Sequence, residues 1–448
     1  MQEKKLGRFS VFMMLIVGIM FADAIASNTN AGIASITWWV ILGILYMIPS
    51  GFIIAELSGA YPGEGGIFVW ITEGMGPKWA ARSSWLFFMC GLFIPVSSFI
   101  MCSDILFALF YPSASFILRV VVAIVLLWVM IGVSCMPMVQ SQWLINIAGI
   151  VKLFLFLGCF ASGIFFIARG HAAANDINLN TLMPTMDSGL MFLPIIVYCC
   201  TGMELASASA EQTKNPAKTL PKVIIGVAVL AVVLNVIANL GMMLVLPIEA
   251  IDLDLGLLDV FETVFGGGLF YYFVGVIFLF AVFAQCVTWM IGGNRGAAES
   301  AKAGELPAVF GKETAGGQPI GAIMITAIAA SIMLIVYALL SEDASNLFFN
   351  LLNAGVIGSL LPYVFMIISY QNLKRKGMGG YTELKTPGGM VWAWIVQIIQ
   401  VLVLLLMVYV PGYGWSDGVV TNILGLVVMV VSGEIVLKVA ERTNIVSN

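Results

Sequence analysis

The feature that most constrains this chain is a series of twelve apolar runs, near residues 10–34, 36–57, 83–110, 115–137, 143–168, 188–209, 222–247, 267–292, 318–340, 346–369, 391–410 and 418–438. A helix needs about 20 apolar residues to cross the hydrocarbon core of a bilayer. Composition agrees: 61% of the residues are hydrophobic, only 10% are charged, and the mean hydropathy is +1.04. A soluble domain is about a quarter charged. So few charges cannot cover so much apolar surface in water. Cytosolic enzymes, secreted modules and disordered chains are therefore excluded. The expected fold is an all-α integral membrane protein with 12 transmembrane helices. The first run starts at residue 10, is too long for a signal sequence and lacks a small-residue cleavage site, so it reads as a retained helix.

Lys and Arg set the orientation. With the N-terminus inside, the inner segments hold Lys4, Lys5 and Arg8; Lys78 and Arg82; Lys214, Lys218 and Lys222; Arg295, Lys302 and Lys312; Lys374, Arg375, Lys376 and Lys385; and Lys438 and Arg442. Only Arg119 and Arg169 fall at outer ends, and Lys152 lies inside the fifth run. Both termini are thus expected in the cytoplasm, with the protein in the cell membrane. The loop between runs seven and eight carries Glu249, Asp252, Asp254, Asp259 and Glu262 without Lys or Arg, as an external loop can. A net charge of −4 and the single His171 give no basic patch for nucleic acid. The seven cysteines lie in or beside apolar runs and read as buried thiols, and no Cys/His cluster suggests a metal. No cofactor is expected. The oligomeric state is open.

A carboxylate at a helix centre costs about 2.5–3.5 kcal/mol on insertion scales, so such residues are candidates for function. Asp23 stands midway along the first run, within the small and polar stretch Ala22-Asp23-Ala24-Ile25-Ala26-Ser27-Asn28-Thr29. Glu204 stands in the sixth, within Thr201-Gly202-Met203-Glu204-Leu205-Ala206-Ser207. The first and sixth helices are five apart, so two five-helix halves put the two acids in corresponding places. Interrupted helices in matching places of two halves point to a transport site, because broken ends free backbone groups for a ligand. The competing reading is structural: a buried acid that only bonds a Ser, Tyr or Lys, and small residues that only let helices pack. Asp104, Glu56 and Glu434 lie nearer helix ends and read as water-facing or interfacial.

Lys152 is too deep to reach the interface easily. A buried ammonium needs a carbonyl cage or a carboxylate. It either occupies the place of a structural cation or pairs with an acid to hold the bundle. Trp38, Trp39, Trp79 and Trp85 read as lipid-facing or interfacial belt residues. Tyr198 and Trp289 differ, since each lies close to a break or polar stretch, where an aromatic face can close over a cation.

Four stretches carry a resemblance that covers nearly the whole chain: Ile54-Ala55-Glu56-Leu57-Ser58 with Tyr61-Pro62-Gly63-Glu64-Gly65-Gly66-Ile67-Phe68-Val69-Trp70; Thr201-Gly202-Met203-Glu204 with Glu211, Asn215-Pro216 and Pro221; Trp289 through Asn294-Arg295 to Gly304-Glu305-Leu306-Pro307; and Leu361-Pro362-Tyr363. In this order and spacing the chain resembles the amino acid–polyamine–organocation (APC) transporters, in particular the glutamate/GABA-antiporter-like branch that includes amine exchangers of the agmatine/putrescine type. The resemblance implies a five-plus-five inverted repeat (LeuT-like) with broken helices 1 and 6: residues 10–169 as the first half, 187–369 as the second, and two further helices over 391–440. It places a substrate between helices 1, 3, 6, 8 and 10. It implies sodium-independent exchange of amino acids or amines.

By the same resemblance Lys152 matches the family's helix 5 lysine, which takes the place of a sodium ion. Tyr198 matches the gate tryptophan six residues before the helix 6 acid in the arginine–agmatine exchanger. Trp289 matches the helix 8 gate aromatic, and Cys90 and Gly91 fall near the helix 3 contacts. Ala22 and Gly202 lie at the two breaks. Many members carry Gly-Ser-Gly at the helix 1 break, whose amides bind a substrate carboxylate; here that place is Phe21-Ala22-Asp23. A carboxylate there repels another carboxylate and attracts an ammonium. The leading expectation is therefore a secondary antiporter of small organic cations, diamines or agmatine. The alternative is a glutamate/GABA-type or neutral amino acid antiporter, or a proton-coupled symporter, on the same fold. An integral membrane enzyme is disfavoured by the lack of HExxH, of a nucleophile elbow and of histidine in any helix core.

Overall fold

The computed structural model describes the backbone of residues 5–136, 138–184, 186–340, 344–380, 382–407 and 417–447. Within these, the side chains of 138–141, 186–192, 337, 340, 344–354, 357, 417–422 and 444–447 are not described. Lys4, Pro137 at the end of the fourth run and 408–410 at the end of the eleventh lie outside the described residues.

Among the described residues the chain is helical, with one isolated bridge and no named strand. The first run splits into α1 (Arg8–Ile19) and α2 (Ile25–Asn30), separated by extended backbone at Met20 and Phe21 and a 3-10 turn over Ala22–Ala24. The second run holds α3 (Ala34–Leu42), one wider π turn over Gly43–Met47, and α4 (Ile48–Ala60). After the glycine-rich segment comes α5 (Ile67–Met75), then the long α6 (Pro77–Phe110), α7 (Phe116–Ser134) and α8 (Met138–Ala168). The short α9 (Leu179–Leu182), capped by Asn178, leads to α10 (Met186–Cys199). A second interruption follows, and the backbone resumes as a 3-10 stretch over Met203–Ser209. Then come α11 (Pro216–Val245), α12 (Gly256–Phe265), α13 (Leu269–Lys302), α14 (Ile320–Leu340), α15 (Ala344–Lys376), α16 (Met390–Leu406) and α17 (Asp417–Ser447).

Among the described residues each of the twelve runs contains helix, though the bounds differ from expectation. Helix α6 starts at Pro77 rather than residue 83, because Gly76, at φ 96°, turns the chain and Pro77 is accepted in a first helical turn. Eight helical stretches among the described residues are long and apolar enough to cross a membrane, and three shorter apolar helices accompany them. The most apolar windows separate an inner set from an outer set. In Pro77–Phe110 89% of the window is buried, against 22% in Ile423–Thr443. Helices α1, α6 and α13 thus form the interior, and α7, α8 and α17 expose apolar faces of the kind that lipid covers.

Helices α8 and α11 meet at Gly163 and Gly241. A Cβ on Gly163 would stand 2.6 Å from the Gly241 carbonyl oxygen, so only glycine permits this crossing. At one end of the bundle the expected inner segments hold one another. Leu6 bonds to Gln212 and Lys214, Glu64 pairs with Arg295, Lys218 with Glu383, and Lys78 with Glu441. At the other end Arg119 pairs with Asp104, and Asn175 donates to the carbonyls of Met243 and Leu246.

Three readings are corrected by the packing. Trp39 is fully buried and Trp85 nearly so, its indole N–H donating to Met429 O at 3.1 Å; both point into the bundle rather than to a lipid belt. Trp79 is exposed, as a belt residue would be. Glu56 is not interfacial: only 1% exposed, it accepts from the Tyr370 hydroxyl, Lys374 Nζ and the Thr386 amide. That network ties α4 to α15 and to the loop before α16, and it satisfies a carboxylate that burial would otherwise penalise.

Candidate functional site

The two interruptions pack on each other. Gly202, at φ 103°, sits where a Cβ would come within 2.9 Å of Ile19 Cγ2 and 3.2 Å of the Trp289 ring. Asn28 Nδ2 donates to Ala24 O at 2.8 Å and reaches Cys199 Sγ at 3.5 Å, linking the start of α2 to the end of α10.

At the first interruption α1 ends with carbonyls that have no helical partner. Lys152, wholly buried on α8, takes two of them: its Nζ donates to Val17 O at 2.7 Å and to Met20 O at 2.5 Å. The C-terminal end of a helix is the negative end of its dipole, so an ammonium is well placed there. Its third donor goes to Gln285 Oε1 on α13. The amide end of the same Gln285 lies 3.2 Å from both carboxylate oxygens of Asp23. Lys152 and Asp23 are thus joined through one glutamine, not by a direct ion pair. Lys152 thus has a carbonyl cage and reaches an acid only through Gln285. Asp23 is part-buried on its 3-10 turn, and Ala22 beside it is buried.

At the second interruption the Tyr363 hydroxyl from α15 accepts from the Gly202 amide at 2.7 Å and donates to Glu204 Oε2. Glu204 is 4% exposed, and its Oε1 has no hydrogen-bond partner among the described residues.

Aromatic rings join the two acids' surroundings. Phe21, two residues before Asp23, lies 5.0 Å from the Tyr198 ring and 6.0 Å from Trp289, and Phe87 of α6 lies 5.9 Å from Trp289 on another side. The Trp289 indole N–H donates to Gly18 O at 2.9 Å, another free carbonyl of α1. Tyr198, Trp289 and Phe21 are all buried. Cys90 is buried on α6 with Glu204 and Ser359 as electrostatic neighbours of its thiol. Gly91 faces Gly293 of α13, where the two helices come close enough that a Cβ on Gly91 would be 4.0 Å from Gly293 Cα.

The expected residues therefore gather around the two breaks, but the two acids share no hydrogen-bond partner. Gln285, Tyr363, Phe21 and Phe87 are additions to the set. Gln285 carried a readable signal, an amide deep in an apolar run; Tyr363 lay in a quoted motif without an assigned role. Phe21 stood in the quoted Phe21-Ala22-Asp23 break without an assigned role, and Phe87 had no signal, being one of 29 phenylalanines.

A family model of amino acid permeases matches residues 6–432. The chain belongs to that family, and it is a multi-pass membrane transporter, not an enzyme. A protein described as a probable agmatine/putrescine antiporter from Lactococcus lactis subsp. lactis is 25% identical over 446 residues, covering 97% of this chain and 95% of the relative. A glutamate/gamma-aminobutyrate antiporter from the same organism is 22% identical, over 84% of this chain and 78% of its own. An uncharacterized transporter of Legionella pneumophila is 24% identical over 86% of this chain and 85% of the relative.

Proposed function

We propose that the protein is a sodium-independent secondary antiporter that exchanges small organic cations, diamines or agmatine, by alternating access. The observation that carries this reading is a carboxylate at a helix break with aromatic rings beside it. Asp23 follows Phe21, and Phe21 packs against Tyr198 and Trp289. A carboxylate binds an ammonium or guanidinium head, and ring faces attract the cation and cover its alkyl stem. The likeness to a probable agmatine/putrescine antiporter supports the same substrate class.

In this reading Asp23 anchors one cationic head and Glu204 receives a second. Tyr198 and Trp289 close over the stem. Ala22, Gly202, Cys90 and Gly91 form the walls. Lys152 replaces a structural sodium ion, holding the end of α1 whatever the sodium concentration. The frame is 12 transmembrane helices, with residues 10–169 and 187–369 as inverted five-helix halves and 391–440 as an added pair. The protein sits in the cell membrane with both termini cytoplasmic, which the grouping of inner segments supports.

The test is exchange in liposomes preloaded with putrescine, following labelled putrescine, agmatine, arginine and glutamate. Amines are expected to enter only against an internal amine, and Asp23→Asn, checked for folding, is expected to lower that rate about a hundredfold, in line with loss of a charge-assisted contact of about 3 kcal/mol. Entry of glutamate or a neutral amino acid, with no amine flux, sinks the cation reading and favours the amino acid exchanger.

A further inference from the structure

A second polar region lies beyond Glu204, toward the end of the bundle where Lys and Arg collect. A small cavity is lined there by Glu64, Ser84, Phe87 and Glu204, with the glycines Gly65, Gly66, Gly292 and Gly296 forming much of its wall. Its volume is about 20 Å³, and a space of about 10–15 Å³ or more is enough for one water. Two of the lining residues carry deeply buried polar atoms that lack hydrogen-bond partners among the described residues, Glu204 Oε1 and Ser84 Oγ. A water there would satisfy both groups, each of which otherwise bears its full desolvation cost.

Glu64, which lines the cavity, also belongs to an ion pair. Arg295 Nε on α13 lies 3.1 Å from Glu64 Oε2, and both side chains are almost fully buried. The contact is one of charge rather than an aligned hydrogen bond. Arg295 also donates to Gly317 O at 2.7 Å and to Glu313 at 3.3 Å, and Glu313 pairs in turn with Lys302. The groups that face Glu64 are Arg295, Glu299 and Lys302 of α13, Glu211 after the 3-10 stretch, and Glu204 across the cavity. Burial, opposed mainly by Arg295, pushes the Glu64 carboxyl up to about 7. This carboxyl can therefore hold or release a proton close to neutral pH.

We propose that this cavity is a proton path: a water held between Glu204 and Glu64 carries protons between the centre of the protein and its inner face, coupling solute exchange to proton movement. Written out, the Glu204 carboxyl gives its proton to the water, the water gives one of its own to the Glu64 carboxylate, and the water is regenerated. Neutral Glu64 no longer attracts Arg295, so the inner closure loosens, and the proton leaves Glu64 for the inner solution. One proton crosses per passage and no other reactant is consumed. Tyr363, donating to Glu204 Oε2, leaves Oε1 as the oxygen that faces the path.

The inference rests on the family's transport activity and not on which solute is moved. Proteoliposomes with a trapped pH dye are driven with putrescine, agmatine, arginine and glutamate in turn, and the ratio of protons to labelled solute is read for whichever is exchanged. If glutamate alone moves, the amine reading fails while the ratio still tests the path. Wild type is expected to show proton movement that follows exchange. Ser84→Val, which fills and dries the cavity, is expected to lower the ratio about tenfold or more with solute affinity unchanged, within the range attributed to a positioned proton carrier. Glu64→Gln is expected to abolish the dependence of exchange on internal pH between about 6 and 8 while leaving that on external pH.

A substrate-free readout accompanies these. An infrared titration of wild type in nanodiscs is expected to show carboxyl absorption titrating near pH 7, part of which Glu64→Gln removes. A merely structural role for the Glu64–Arg295 pair lowers stability and exchange together and leaves the ratio unmoved. Absence of proton movement in wild type, an unchanged ratio in Ser84→Val, or a near-neutral band undiminished in Glu64→Gln overturns the proposal.

Discussion

The two helix interruptions solve the same problem differently. Each frees backbone groups inside the bundle, and each carries one acid. At the first, free carbonyls and the acid are both answered by a cation: Lys152 bonds Val17 O and Met20 O directly and reaches Asp23 through Gln285. At the second, a phenol does the work. Tyr363 accepts from the Gly202 amide and donates to Glu204, with no cation in contact among the described residues, and Glu204, which also lines a small cavity, keeps one carboxylate oxygen without a partner. The difference teaches that position in the chain does not decide an acid's chemistry. Asp23 lies in a charge-balanced cluster, and Glu204 in a hydrogen-bonded one.

The largest expected effect is at Lys152. Lys152→Met leaves the buried Val17 carbonyl without its donor, takes from Met20 O one of two donors, and leaves Asp23 without its balancing charge. Removing one partner of a buried charged cluster costs about 3–5 kcal/mol. A large fall in unfolding temperature in detergent, with loss of exchange, is the expected result. A variant as stable as wild type would show that the first interruption does not depend on its cation.

Tyr363→Phe probes the second interruption. It leaves the Gly202 amide and Glu204 Oε2 unpartnered at nearly constant shape, an expected loss of about 1–3 kcal/mol by chemical denaturation. If this loss equals that of Lys152→Met, the contrast between a charge-held and a phenol-held break is wrong.

The smallest effect is one of slope. Glu64, its carboxyl pushed up to about 7 by burial, binds a proton more readily folded than unfolded. Its contribution to stability is therefore full below the ordinary carboxylate range, about pH 4.5, and is lost as pH rises through 7. Glu64→Gln is expected to flatten stability against pH between about 4.5 and 7, read from denaturation at a series of pH values. An unchanged slope would mean that Glu64 stays ionised throughout.

Much of this was legible in the chain. The apolar runs, the acids at residues 23 and 204 and the small residues beside them mark where helices stop, because a charge and a run of small polar groups disfavour a regular helix in hydrocarbon. Tyr198 and Trp289 were legible through their nearness to those places. The partners were not. Gln285 meets Asp23 across 262 residues, and Tyr363 meets Glu204 across 159.

Burial in the bundle was equally hidden. Trp39 and Trp85 read like belt residues and Glu56 like an interfacial one, yet all three are inside. A lipid-facing helix surface and a protein-facing one are both apolar, so hydropathy cannot tell them apart. The sequence by itself determined that this is a helical membrane protein with charges and breaks at defined depths, since the cost of polar groups in hydrocarbon depends on composition along each run. Which helices stand inside, which donor answers each free carbonyl, and which carboxylate oxygen is left without a partner among the described residues were decided only by tertiary structure. Those depend on what α13 and α15 bring from far along the chain into contact with the breaks.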